Sequence, residues 1–80
     1  MRYFARYWVH GQIMDSEFDS ADEALSFLVR GEDYGHLSTM SIEDEFGSEV
    51  LSGAEFDACY VYKKDPPWKT TASHELGASG

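Results

Sequence analysis

Four carboxylates crowd the ten residues SIEDEFGSEV: Glu43, Asp44, Glu45 and Glu49. Groups of this kind hold calcium, exchange protons with a substrate, or face a basic protein as phosphates would. A calcium loop of the EF-hand type needs an oxygen ligand five residues before its glycine, and Ile42 stands there, ahead of Gly47. Acid–base catalysis gains nothing from the spacing, because fifteen acids in eighty residues put many pairs close together. Backbone chemistry explains much of the stretch. Asp44 suits the first position of a type I turn, and Gly47 supplies the left-handed residue of a three-residue hairpin. Glu43, Glu45 and Glu49 are then exposed around that turn. With Asp44, Asp15 and Glu17 they make a candidate acidic patch for binding protein.

Other reactive side chains are dispersed. His10, His36 and His74 fall in a turn, a loop and the C-terminal segment, without the spacing of a metal site. Cys59 sits among apolar and aromatic residues, where a thiol behaves as a small hydrophobe. The chain has neither a phosphate-cradling glycine loop nor a nucleophile elbow. We therefore expect no catalytic residues, metal or cofactor, and a binding protein rather than an enzyme. The aromatics offer a second candidate surface. Tyr3, Tyr7, Tyr60 and Tyr62, with Trp68 from the tail, form a face if the first and last strands pair, and Tyr and Trp dominate binding hot spots.

Charge narrows the partner. Thirteen of the fifteen acids lie from Asp15 to Asp57, with Arg30 the lone cation among them, and the chain carries a net −9. Nucleic acids and anionic membranes are recognised through clustered Lys and Arg, so neither is expected to bind directly. A basic protein is the electrostatic match. One cysteine allows no internal disulfide, which suits a reducing cytosol. No apolar run reaches the roughly 18 residues of a membrane helix, and MRYFARYWVHG reads as structure rather than as a signal peptide.

The elements that must position these residues follow from patterning. RYFARYWV is apolar on both faces, as in a central strand, and His10-Gly11 turns it into the strand QIMDSEF. DSADEALSFLVRG is a helix: Ser20 caps it, Glu23 completes a capping box, Ala21, Ala24, Leu25 and Leu28 face the core, and Gly31 stops it. Met40 and Ile42 alternate with polar neighbours in a strand that the Asp44 turn returns through Val50 and Leu51. After a Ser52-Gly53 turn, EFDACYVYK alternates Phe56, Ala58, Tyr60 and Tyr62 in a fifth strand. The expected fold is α+β, a single antiparallel sheet in ββαβββ order with one helix on one face. Residues 1–64 form the domain and 65–80 a flexible tail.

The segment FDSADEALSFLVRGEDYGHLSTMSIEDEFGSEV, from Phe18 to Val50, resembles small acidic accessory proteins encoded by bacteriophages, particularly those of actinobacteria. In these a capped helix runs into a G-x-L strand and an I-x-D-x-x-G hairpin. The resemblance implies a phage or prophage origin and a role in modulating a host protein, and it carries over no catalytic residues. The expectation is a non-enzymatic module in the host cytosol that binds and inhibits or modulates a basic host protein, in its sharpest form by mimicking nucleic acid. The alternative is a structural subunit that dimerises through edge strands or aromatic faces.

Overall fold

Two glycine turns and two serine caps set the path of the chain in the computed structural model, which describes residues 1–69. Strand β1 (Tyr3–Val9) pairs antiparallel with β2 (Gln12–Phe18) over seven residue pairs, from Tyr3 opposite Phe18 to Val9 opposite Gln12. Both residues of the connecting turn are left-handed, His10 at φ 51° and Gly11 at φ 79°, as a two-residue type I′ hairpin requires. Helix α1 (Ala21–Asp33) begins at Ser20, whose hydroxyl accepts the Glu23 N–H at 3.1 Å. The capping box is incomplete here: the Glu23 carboxylate accepts the Ser20 hydroxyl at 3.1 Å, not the Ser20 backbone N–H that a full box engages.

Gly31 does not stop this helix. The chain leaves it two residues later, where the Gly35 N–H donates to the Glu32 carbonyl at 3.1 Å and the His36 N–H to the Gly31 carbonyl at 2.8 Å, with Gly35 at φ 71°. That is a Schellman ending, and Gly35 is its left-handed residue. Gly31 serves packing instead: a Cβ there would lie 2.3 Å from Leu37 Cδ2.

Strand β3 (Ser38–Asp44) pairs antiparallel with β1 on its free side, and β4 (Glu49–Leu51) with β3, giving the sheet order β2-β1-β3-β4. The hairpin between β3 and β4 is held as the sequence requires. Asp44 Oδ1 accepts the N–H groups of Phe46 and Ser48, each at 2.9 Å, and Gly47 takes φ 83°. The expected fifth strand is a helix, α2 (Gly53–Tyr62). Ser52 and Glu55 form a full capping box, and Phe56, Cys59 and Tyr60 recur at helical spacing against the core. The fold is thus α+β with one four-stranded antiparallel sheet, in ββαββα order.

The core gathers Ala5, Tyr7, Ile42 and Leu51 from the sheet with Ala24 and Leu28 from α1 and Phe56 from α2. Burying a side chain the size of Leu28, Ile42, Leu51 or Phe56 contributes about 1.5–3 kcal/mol each. Both helices therefore lie on the same side of the sheet. The start of the expected tail belongs to this structure too. Pro66 is buried, Trp68 packs against the core, and its indole N–H donates to Asp22 at 3.0 Å. Residues 70–80 of that segment lie outside the described residues, as does His74. No helix among the described residues is long and apolar enough to cross a membrane.

Candidate protein-binding face

Alternation along β1 decides which side chains meet the helices. Ala5 and Tyr7 point into the core, so Phe4, Arg6 and Trp8 point to the other side of the sheet. Residues directly opposite one another on neighbouring strands share a face, and the register therefore builds three rows there. Glu17, Phe4 and Glu43 make the first, with Glu49 beyond Glu43 on β4. Asp15, Arg6 and Ser41 make the second. Ile13, Trp8 and Ser38 make the third. Trp8 is 42% exposed and Ile13 50%, and what sets them apart from the other exposed apolar side chains of the domain is that they stand side by side in one row.

Five of the six acids of the expected patch lie within this face or at its rim, and four of the five are engaged. Arg6 donates through Nε to Asp15 Oδ1 at 3.1 Å, and its Nη1 lies 3.7 Å from Glu43 Oε2. Arg2 pairs with Glu17 at 2.9 Å. Hydrogen bonding and charge from Asp15, with charge from Glu43, hold the Arg6 guanidinium above its already high ordinary pKa. Glu45, in the adjoining turn, accepts the Arg2 backbone N–H at 2.9 Å. Asp44 is committed to the turn backbone. Glu49 stands directly opposite Glu43, two like charges side by side.

The expected aromatic face does not assemble, because its second strand is α2. Tyr7 is buried, its hydroxyl 2.7 Å from Ser16 Oγ and its ring 5.2 Å from that of Phe27. Tyr60 stacks on Phe56 on the helical side, and its hydroxyl donates to Asp33 at 2.8 Å. Tyr3 is half-buried against the core, Trp68 is docked beside Asp22, and Tyr62 is exposed on the last turn of α2. Sequence reasoning set Trp8 on the face of β1 opposite Tyr3 and Tyr7 but did not count it among the candidate binding residues. The signal was the alternation Phe4, Arg6, Trp8, which becomes a face once the helices are assigned to the other side.

The described residues contain no group of three or more His, Cys, Asp or Glu placed to hold a metal ion. Cys59 is half-buried on α2; burial, then the charges of Glu55 and Asp65, push its thiol above the ordinary value. Such a thiol is a poor nucleophile at neutral pH. The open face thus has an apolar corner at Trp8 and Ile13 bordered by carboxylates. Compared with known protein families, curated proteins and solved structures, the chain has no significant match.

Proposed function

We propose that this protein is a non-enzymatic binding module that docks a basic protein on the open face of its sheet. The observation that carries the reading is the placement of Trp8 and Ile13, exposed in one row, beside the carboxylates of Asp15, Glu17, Glu43 and Glu49. An aromatic anchor bordered by charge is the anatomy of a binding hot spot, and acids steer a basic partner toward it. The resemblance of Phe18–Val50 to phage accessory proteins makes the partner a host factor in the cytosol, inhibited or modulated by occupation of its basic surface. Nucleic-acid mimicry is the sharper form of this reading, with those carboxylates set against a phosphate-binding surface.

A homodimer is the second reading, favoured by the outer edge of β2, a full seven-residue strand that pairs with no further strand among the described residues. Asp15 and Glu17 oppose it, since they bring like charges together when two copies pair there. The experiment is affinity capture from an actinobacterial lysate, with wild type, Trp8→Ala and the triple reversal Glu17→Lys, Glu43→Lys, Glu49→Lys as baits. The expected result is a basic protein retained by wild type, lost with both variants, and bound more slowly as salt rises. Salt-insensitive retention by the triple variant would overturn the reading. A concentration-dependent dimer that recovers no partner would favour the second.

A further inference from the structure

At the opposite side of the sheet from that face, the β1–β2 turn and the end of α1 enclose an open cleft of about 420 Å³. Its apolar lining comes from Tyr7, Val9, Phe27 and Leu37, the last packed close on Gly31, where there is no Cβ to hold it off. The Tyr7 hydroxyl is already engaged with Ser16, so polar recognition falls to the residues of the rim. Those are Arg30, His10 and His36, with the Tyr34 ring 5.9 Å from that of His36.

This grouping of nitrogen side chains runs against the charge of the molecule. Arg30 is the lone Lys or Arg between Asp15 and Asp57. Among the described residues Arg2, Arg6 and Lys69 each pair with a carboxylate, whereas Arg30, like Lys63 and Lys64 beyond α2, has no such partner. The acids nearest to it in sequence on its C-terminal side are turned elsewhere: Glu32 accepts the Thr39 N–H at 2.8 Å, and Asp33 accepts the Tyr60 hydroxyl. The cleft thus offers an apolar floor with an unspent cation at its edge, a volume within the ordinary range of ligand pockets, and no carboxylate in its lining.

We propose that this cleft binds a small apolar carboxylic acid, its hydrocarbon body against Tyr7, Phe27 and Leu37 and its carboxylate on Arg30. The proposal is independent of the open face. A chain of net −9 repels anions in general, so retention of one would be carried by the local site.

The test is a titration of ¹⁵N-labelled protein with sodium octanoate, sodium phenylacetate and octan-1-ol, followed by amide shifts. Saturable shifts confined to the cleft, from octanoate or phenylacetate, are expected, and the stronger of the two identifies a straight-chain or an aromatic acid. Arg30→Gln, a change at an exposed side chain, is expected to weaken that acid about tenfold, the usual consequence of losing a charge-assisted hydrogen bond. Tyr34→Ala, at a residue 72% exposed, removes part of the rim and is expected to weaken it as well. Failure of both acids to saturate would overturn the proposal. So would octan-1-ol binding as tightly as octanoate, or an Arg30→Gln protein that binds unchanged.

Discussion

Arg6 and Asp15 stand directly opposite each other across β1 and β2, and the guanidinium Nε donates to the carboxylate at 3.1 Å. With Glu43 on the other flank, one cation holds two acids of neighbouring strands on the open face. Arg6→Gln leaves Asp15 and Glu43 without that cation. Thermal melts are expected to fall at low salt and to approach wild type in about 1 M NaCl, where screening reduces the Debye length to about 3 Å. A deficit that salt does not change would mean that Arg6 acts through the packing of its aliphatic stem.

The cap of α2 makes a separate claim. The Ser52 N–H donates to Glu55 Oε1 at 2.8 Å, and the Glu55 N–H returns to Ser52 Oγ at 3.1 Å. Ser52→Ala is expected to destabilise the domain by about 1 kcal/mol, as cap removal usually does. Ser20→Ala at α1 should cost a similar amount. Urea midpoints for the two variants check both, and an unchanged Ser52→Ala midpoint would show that α2 contributes little to folding.

How far the fold was legible turns on these caps and turns. His10-Gly11 and Asp44–Gly47 announced two hairpins because their backbones need residues that tolerate left-handed angles, and both form. Ser20 announced α1. The spacing Ser52-x-x-Glu55 announced α2 by the same rule, but Ser52-Gly53 also resembles a turn, and the aromatic and β-branched content of FDACYVY favours a strand. Tertiary packing of Phe56, Cys59 and Tyr60 overrides that preference. The acids of the candidate face were legible as residues, but their company was not. The two-residue turn His10-Gly11 fixes the register that sets Asp15 beside Arg6 and Trp8 beside Ile13, but the pairing of β1 with β3, which brings Glu43 to the same face, has no local signal in the sequence.

Gly31 reverses an ordinary expectation. In a helix interior Gly→Ala gains about 1 kcal/mol from propensity. Here the new methyl group meets Leu37 at 2.3 Å, so the expected outcome of Gly31→Ala is a loss of about 1–3 kcal/mol from overpacking. Leu37→Ala in the same background should recover part of it, because the clashing atoms are then gone. A stabilised Gly31→Ala protein would mean that Leu37 moves aside freely.

The contact between Tyr60 and Asp33 joins the two helices, and it predicts a response to alkali. The hydrogen bond to the Asp33 carboxylate, followed by burial and the charges of Asp33 and Glu32, raises the phenol above its ordinary 10.0. The folded state therefore favours the neutral phenol more than the unfolded chain does. By linkage the stability from this contact is fully present below pH 10, where both states keep the proton. It is lost as pH rises through the higher folded value, where the unfolded chain has already released its proton. Urea midpoints measured between neutral pH and strong alkali should fall more steeply for wild type than for Tyr60→Phe, which has no phenol to ionise at this position. The other tyrosines and the lysines titrate in both proteins, so the difference between the two curves isolates Tyr60. Parallel curves would show that the hydroxyl does not tie α2 to α1 in solution.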